Sequence, residues 1–393
     1  MRPSARLKAA IDLLDEIIVA AANNGASADT TATKFFAGRR YAGSKDRRAV
    51  RDLTWQAIRL YGELPQNARS VFAAMADHDA ELAALFDGSD YGPSFISDRE
   101  LRAAGDVLPQ WILPYFSKLI DDAERQALLQ RAPLDLRVNT LKASVADVMA
   151  ELPEALSLPQ SSAALRLPTG FAAAQHPAII EGRAEVQDLG SQLIVDACHA
   201  NPDMTVLDLC AGAGGKTLGL AAAMQGQGTL IASDTNRARL GQLIPRAQRA
   251  GARNIQTMLL NPGRESAMLS DWSAKCDIVL VDAPCSGSGT WRRNPETRWR
   301  LNEARLQRVC GEQRKLLGIA ADIVAAGGYL VYAVCSLLDI EGKAQVELFL
   351  QSHQGWRAVD TAIPVGRKQG SGILLSPKHD GSDGFFMARL QKL

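Results

Sequence analysis

The sequence predicts a doubly wound α/β domain with a mostly parallel sheet, preceded by an all-helical N-terminal domain. From about residue 203 onward, uninterrupted apolar runs alternate with helical segments, and the clearest runs are 205–209, 229–233, 277–281 and 328–334. Continuous apolar runs are typical of parallel strands that are covered on both faces. Their alternation with helices is the pattern of an open α/β sheet, which binds ligands at the carboxyl ends of its strands.

The first third of the chain is predicted to be helical. Apolar residues recur at helical spacing from Leu7 to Ile18, and no convincing strand precedes residue 130. With 393 residues the chain is longer than a single core usually supports. We therefore expect a helical domain over residues 1–125, a linking α+β subdomain over 126–185 and the α/β domain over 186–393.

Composition narrows the class of protein. Hydrophobic residues make up 47% of the chain and charged residues 22%, as in ordinary globular proteins, and no apolar run reaches the length of a membrane span. None of the six cysteines forms a C-x-x-C pair, which argues against a zinc site and against a disulfide framework. We expect a monomeric cytoplasmic protein with reduced thiols, no metal ion and no membrane partner.

Basic residues are concentrated in two stretches, although the net charge is only +1. Residues 34–59 hold eight basic and two acidic residues, and residues 291–315 hold eight basic and three acidic ones. Aromatic side chains lie among them, a combination that suits the phosphates and unstacked bases of a nucleic acid. The alternative is that both stretches are solvated helix faces.

The stretch CAGAGGKT, residues 210–217, follows the first predicted strand. A P-loop has the pattern G-x-x-x-x-G-K-[ST], and Cys210 occupies the position of its first glycine. Gly212 and Gly214 instead allow a ligand to approach the backbone closely. Together with Asp208 they resemble the glycine turn of class I S-adenosylmethionine methyltransferases. The stretch therefore predicts a methyl-donor pocket rather than a triphosphate site.

Acidic residues and cysteines lie at the ends of the other predicted strands. Asp234 ends the second strand, where an acid suits the hydroxyls of a ribose, the alternative being the N-cap of the helix at 237–250. Asp282 and Cys285 follow the strand at 277–281, and Cys335 follows the strand at 328–334. The remaining cysteines 198, 276 and 310 are predicted to be inert core residues.

Together these motifs resemble the RNA 5-methylcytosine methyltransferase family, the RsmB/NOP2/Sun group. LDLCAGAGGKT is similar to its first motif, DAPCSGSGTWRRNP to its fourth and GYLVYAVCSL to its sixth. LRVNTLK, VQDLGSQL and DGFFMARL resemble its flanking signatures, so the similarity covers residues from about 136 to 390. The N-terminal region, with GSKDRRAV at 43–50, resembles the NusB-like domain of bacterial 16S rRNA members.

The resemblance implies a class I S-adenosylmethionine methyltransferase that modifies carbon 5 of cytosine in RNA. Cys335 matches the family's nucleophile, which attacks carbon 6, and Cys285 matches the second cysteine, which is implicated in product release. In the related DNA enzymes the nucleophile follows the Pro-Cys pair, so the reverse assignment stays open. Asp282 is expected to hydrogen-bond the ring nitrogen and to lie near the methyl-bearing end of the donor. S-adenosylmethionine is expected to contact Asp234 and the segment Cys210, Ala211, Gly212, Ala213, Gly214, Gly215 and Lys216.

Other parts of the resemblance concern the RNA and the adenine. Trp291, Arg292 and Arg293 are expected to hold the unstacked base. Asn261 stands where the family carries an aspartate that contacts the adenine. The expected substrate is 16S rRNA, with tRNA as the alternative. The rival hypothesis is a non-catalytic ribosome-assembly or RNA-binding factor, against which the intact set of Asp282, Cys285 and Cys335 argues.

Overall fold

The computed structural model describes residues 1–393, and the chain divides into two compact units. One unit comprises Met1–Tyr115 together with Trp291–Glu303, and the other comprises Phe116–Thr290 and Ala304–Leu393. This division differs from the three predicted segments, because residues 126–185 form part of the α/β unit and part of the second basic stretch belongs to the helical unit. None of the helices combines the length and the apolar character that a membrane crossing requires.

The helical unit is built on an apolar core lined by α1, whose Leu7, Leu14 and Ile17 are fully buried. Polar side chains cap several of the helices: Ser27 accepts a hydrogen bond at the start of α2, and Asn67 does so at the start of α4. The five helices are α1 Pro3–Ala22, α2 Ala28–Ala37, α3 Ser44–Leu60, α4 Ala68–Ala76 and α5 Ala80–Ala83.

The piece Trp291–Glu303 leaves the α/β unit and completes the helical unit. Trp299 packs into the helical core, and its indole nitrogen donates to the carbonyl of Tyr61 at 2.8 Å. Arg298, 1% exposed, donates to the carbonyl of Ile58 at 2.8 Å. The piece is therefore a structural component of the helical unit, although it is distant in sequence from the helices it contacts.

The α/β unit begins with a small antiparallel sheet of four strands in the order β2-β3-β1-β4. This sheet packs its own apolar cluster against α7, with Leu136, Val148 and Leu165 fully buried. Its elements, with the flanking helices, are α6 Asp122–Ala127, β1 Leu134–Val138, α7 Val145–Glu151, β2 Leu156–Ser157, β3 Ala164–Leu167, α8 Pro177–Ile180 and β4 Ala184–Val186.

The main sheet has nine strands, of which five neighbours, β7-β6-β5-β8-β9, are parallel. β9 continues antiparallel into β13, β12 and β11, and β10 also pairs with β13. The elements are α9 Leu189–Cys198, β5 Thr205–Asp208, α10 Gly215–Ala223, β6 Thr229–Asp234, α11 Arg237–Ala250, β7 Ile255–Leu259, α12 Glu265–Met268, β8 Cys276–Asp282, α13 Glu303–Ile323, β9 Val324–Val334, α14 Lys343–Ser352, β10 Trp356–Val359, β11 Arg367–Gln369, β12 Gly372–Leu375, α15 Pro377–Asp380 and β13 Phe385–Lys392.

The predicted fold class is confirmed. The four apolar runs correspond to β5, β6, β8 and β9, and their interior side chains are buried between helices such as α9, α10 and α11. The sequence did not predict the antiparallel strands β10–β13. Because β5, β6, β8 and β9 run in the same direction, their carboxyl ends meet at one edge of the sheet.

Candidate active site

The carboxyl ends of four parallel strands open into one cavity of about 490 Å³. Each strand end contributes a predicted residue to its wall: Cys210 after β5, Asp234 at the end of β6, Asp282 and Cys285 at and after β8, and Cys335 after β9. The cavity volume lies in the range of small-molecule sites. The residues chosen from separate sequence motifs are thus brought together at one edge of the sheet.

The two strand-end cysteines are in direct contact, with 3.2 Å between the Sγ atoms of Cys285 and Cys335. Both side chains are partly buried and neither forms a disulfide. The hydrogen bond with Cys335, together with burial, raises the pKa of the Cys285 thiol well above its usual value. Cys285 is therefore held as a neutral thiol beside Cys335. Cys198, Cys276 and Cys310 are buried in the core, as predicted.

Lys216 and Asp282 form an ion pair at the same edge, with Nζ 2.7 Å from Oδ2. Burial alone lowers the pKa of Lys216, but the Asp282 carboxylate outweighs it and holds that pKa above its usual value. The ammonium also interacts electrostatically with Cys335. The last residue of β8 thus fixes a cation at this edge of the sheet.

The glycine turn between β5 and α10 requires glycine at two positions. Gly212 and Gly214 have φ values of +57° and +86°, which other residues rarely adopt. A Cβ on Gly214 would also lie 2.1 Å from Cδ1 of Leu243 in α11. The amide of Gly212 donates to Asp234 at 2.7 Å, so the turn and the end of β6 are tied together.

Asp234 is not the residue that caps α11. The helix begins after Asn236, whose side chain accepts from the amide of Arg239 at 3.0 Å. The Asp234 carboxylate accepts from the amides of Gly212 and Asn236, at 2.7 and 2.6 Å, and faces the cavity. Since a carboxylate can accept about four hydrogen bonds, Asp234 retains acceptor capacity for a ligand.

Two arginines that had no predicted role hold the glycine turn from behind. Arg246 of α11 donates to the carbonyl of Ala213 at 2.6 Å and pairs with Glu185. Arg137 of β1, 5% exposed, donates to the carbonyl of Gly215 at 2.8 Å. Arg137 lies within the quoted motif LRVNTLK, which is the one sequence signal that could have identified it.

A buried carboxylate also joins the two cysteine loops. Glu341, six residues after Cys335, accepts from the amide of Ser286 at 2.7 Å and from the hydroxyls of Ser286 and Ser336. Gln313 of α13 donates to it at 3.1 Å. An acidic residue following an apolar loop is the only sequence signal for this role.

Some predicted residues do not line the cavity. Trp291 is fully buried and Arg292 is 5% exposed, both within the piece that belongs to the helical unit. The expectation that Trp291 helps to hold the unstacked base is not met in this structure, because its ring is fully buried. Asn261 is exposed, while its neighbour Leu260 lines the cavity.

Known proteins are similar to this chain in both sequence and fold. The family model described as 16S rRNA methyltransferase RsmB/F matches residues 196–391. The chain is 36% identical over 318 residues to the probable ribosomal RNA small subunit methyltransferase B of Synechocystis sp.. The alignment covers 76% of this chain and 70% of that protein.

Two solved structures show the likeness in fold. PH0851 has a TM-score of 0.78 at 22% identity and is covered, like this chain, over 98% of its length. NSun6 from Pyrococcus horikoshii, solved with SFG, has a TM-score of 0.64 at 20% identity over 72% of this chain and 97% of that one. The chain belongs to the RsmB/F family of 16S rRNA methyltransferases, enzymes that use S-adenosylmethionine as the methyl donor.

Proposed function

We propose that this enzyme methylates carbon 5 of a cytosine in the RNA of the small ribosomal subunit, in the cytoplasm, with Cys335 as nucleophile and Cys285 as the residue that assists release. The observation that carries the proposal is the contact between the two thiols in the cavity that Asp234 and Asp282 also line. Ribosomal RNA as the substrate is supported by the name of the Synechocystis relative.

Two thiols suit this chemistry because carbon 5 of cytosine is a poor nucleophile. When the Cys335 sulfur bonds to carbon 6, the electron pair of the C5–C6 double bond moves toward carbon 5, which becomes enamine-like. After methylation, a base removes the proton on carbon 5 and the sulfur–carbon bond breaks, so that the double bond returns. Cys285, 3.2 Å from Cys335, lies where it can assist this last step.

The ion pair supports the first step. Negative charge builds on the ring nitrogen beside the amino group as sulfur adds, and the Lys216 ammonium, held by Asp282, supplies hydrogen-bond donors and positive charge at this edge of the sheet. Asp282 therefore acts by holding the lysine in place as well as by contacting the base.

The residues around the glycine turn fit S-adenosylmethionine, which supplies an electrophilic methyl group when bound. The turn from Cys210 to Lys216 reaches the cavity wall through Cys210, and the amide of Gly212 binds Asp234 on the same wall. Asp234 offers its remaining acceptor capacity to the two ribose hydroxyls, and Cys210 lines the same wall. Arg137 and Arg246 keep the turn in this conformation by binding its carbonyls.

The helical unit is proposed to bind RNA phosphates through the first basic stretch. Arg40, Lys45 and Arg48 are exposed there. Arg47 and Arg51 are partly engaged within the unit, since Arg47 donates to the carbonyl of Ala42 and Arg51 pairs with Asp29. Phosphate contacts of this kind position an RNA without reading its sequence.

The two cysteines provide the test of this function. With labelled S-adenosylmethionine and small-subunit RNA, supplied free or as subunits, we expect label in 5-methylcytosine. Cys335→Ala should lose at least about 1,000-fold in rate, as nucleophile removal does elsewhere, and should form no covalent RNA complex. Cys285→Ala should still attack and methylate, and then accumulate a protein–RNA complex that survives denaturing electrophoresis. The double variant is the control and should form none.

Other outcomes would contradict the assignment in distinct ways. A trapped complex in Cys335→Ala with none in Cys285→Ala would exchange the two roles. Methylation that persists in both variants would exclude attack by either thiol. Absence of donor binding and of labelled 5-methylcytosine with the wild-type protein would favour a non-catalytic assembly factor.

A further inference from the structure

We infer that Glu341 is a positioning residue that holds the two cysteine loops together and so keeps the thiols of Cys285 and Cys335 in contact. The inference rests on the proposed function only in so far as the two thiols are taken to act in one reaction. Glu341 itself touches neither sulfur in the hydrogen-bond network, and it acts through the residues that follow each cysteine.

The bonding pattern of Glu341 is specific to those two loops. Its side chain is fully buried, and its carboxylate accepts from Ser286, which follows Cys285, and from Ser336, which follows Cys335. Gln313 donates to the same carboxylate and, at 3.0 Å, to the carbonyl of Pro284, the residue before Cys285. One carboxylate thereby links the two short segments that carry the thiols.

Additional bonds continue the connection along both loops. The amide of Gly289 donates to the carbonyl of Cys335 at 3.0 Å, and the amide of Leu337 donates to the hydroxyl of Ser288 at 3.0 Å. The backbone of Glu341 is fixed as well, since the hydroxyl of Tyr332 donates to its carbonyl at 2.6 Å. The carboxylate is thus held rigidly at the point where the loops meet.

The energetics explain why this carboxylate controls the distance between the loops. A buried carboxylate is stable only when hydrogen-bond donors surround it, and here the donors are an amide, two hydroxyls and a glutamine side chain. Removing it leaves those buried donors without their shared acceptor. We expect the two loops to separate or to sample several arrangements in that case.

A purely structural residue would also lower activity when removed, so the test needs a readout of the thiol contact itself. Diamide supplies one, because it takes two electrons and two protons from two thiols and leaves a disulfide and the reduced hydrazine. Its rate with a thiol pair depends on how closely the sulfur atoms are held. The reaction needs neither RNA nor methyl donor, and peptide mass spectrometry identifies a bond between Cys285 and Cys335.

We expect the wild-type protein to form this disulfide fastest and Glu341→Ala to form it at least about tenfold more slowly. Displacing reacting groups by about 1 Å slows a reaction by that factor or more. Glu341→Gln retains one acceptor oxygen and should lie between the two. In the methylation reaction, the kcat of these two variants should fall in the same order as their rates of disulfide formation. Their KM for RNA and their affinity for S-adenosylmethionine should stay unchanged.

Glu124→Ala is the matched control. Glu124 lies in the same α/β unit, is 3% exposed, and likewise joins separate segments by binding Arg367, Ser376 and the amide of Lys378. Its removal should leave the rate of disulfide formation at the wild-type value. If Glu341→Ala proves unfolded, the double variant Ser286→Ala/Ser336→Ala removes two of the donors and should also slow the oxidation.

The inference is overturned if Glu341→Ala or the double serine variant oxidises at the wild-type rate, if Glu124→Ala slows as much, or if the wild-type pair forms no disulfide. Failure of the proposed function is distinguishable from these results. Slower oxidation in Glu341→Ala together with a wild-type protein that transfers no methyl group would support the positioning role and refute the reaction.

Discussion

Asp208 and Asp234 end neighbouring strands but have different surroundings. Asp208 is 1% exposed and accepts from the hydroxyl of Thr217 at 2.6 Å, and burial raises its pKa to about 7. Asp234 instead lies at the cavity wall and accepts two backbone amides. The first carboxyl group is therefore a structural link between β5 and α10, and the second is available to a ligand.

We predict that Asp234→Ala weakens S-adenosylmethionine binding by about 1–3 kcal/mol, the cost of leaving buried polar partners unpaired. Isothermal titration calorimetry measures the change directly. Asp203→Ala serves as the control, because Asp203 is exposed, precedes the amino end of β5 and does not line the cavity, so the affinity should be unaltered. Equal affinity in Asp234→Ala and in the wild-type protein would restrict Asp234 to organising the turn.

At the scale of elements, the site depends on how β5, the glycine turn and α10 are connected. Gly214 is the N-cap of α10 in the left-handed region, and the turn carbonyls on either side of it are bound by Arg246 and Arg137. The sequence patterns that predicted this strand, turn and helix are local, and the structure confirms them. The arginines come from α11 and β1, so the local pattern of the strand, turn and helix did not reveal that they bind the turn.

Gly214→Ala should destabilise the α/β unit by about 1–3 kcal/mol from backbone strain alone. The contact with Leu243 should add to this loss, because a Cβ would lie 2.1 Å from its side chain. Chemical denaturation followed by circular dichroism gives the change, and donor binding should weaken as well. Gly241→Ala, at an exposed position of α11 with open space around it, should be neutral or slightly stabilising. Equal effects of both substitutions would show that the turn imposes no strain.

At the scale of the whole molecule, the chain that leaves the Cys285 loop does not remain in the α/β unit. Residues 291–303 join the helical unit, where Trp299 and Arg298 are buried against residues from α3 and the segment after it. The amide of Ala28 also donates to Glu296 at 3.1 Å. The two units are therefore covalently interleaved and cannot be separated by one cut.

We predict that residues 116–393 expressed alone fold poorly. The piece 291–303 would expose Trp299 and leave the guanidinium of Arg298 without the carbonyls it binds. Replacing that piece in the shortened chain by a glycine–serine linker of equal length should restore solubility and cooperative thermal unfolding. If the shortened chain with its native piece unfolds at the same temperature as the linker version, the interleaving has no structural consequence.

The sequence by itself determined the class of fold, the edge of the sheet at which the cavity lies and five of the residues that line it. Apolar runs and glycine spacing are local properties, and the rule that parallel strands end at one edge was enough to bring Asp234, Asp282, Cys285 and Cys335 together. The tertiary structure decided what holds them. Glu341 binding both cysteine loops, Arg137 and Arg246 behind the turn, and the burial of Trp291 arise from pairings between distant segments. Such pairings form because buried donors and acceptors must find partners in the packed interior. The partners are far apart in sequence, so they produce no periodic pattern or fixed spacing along the chain.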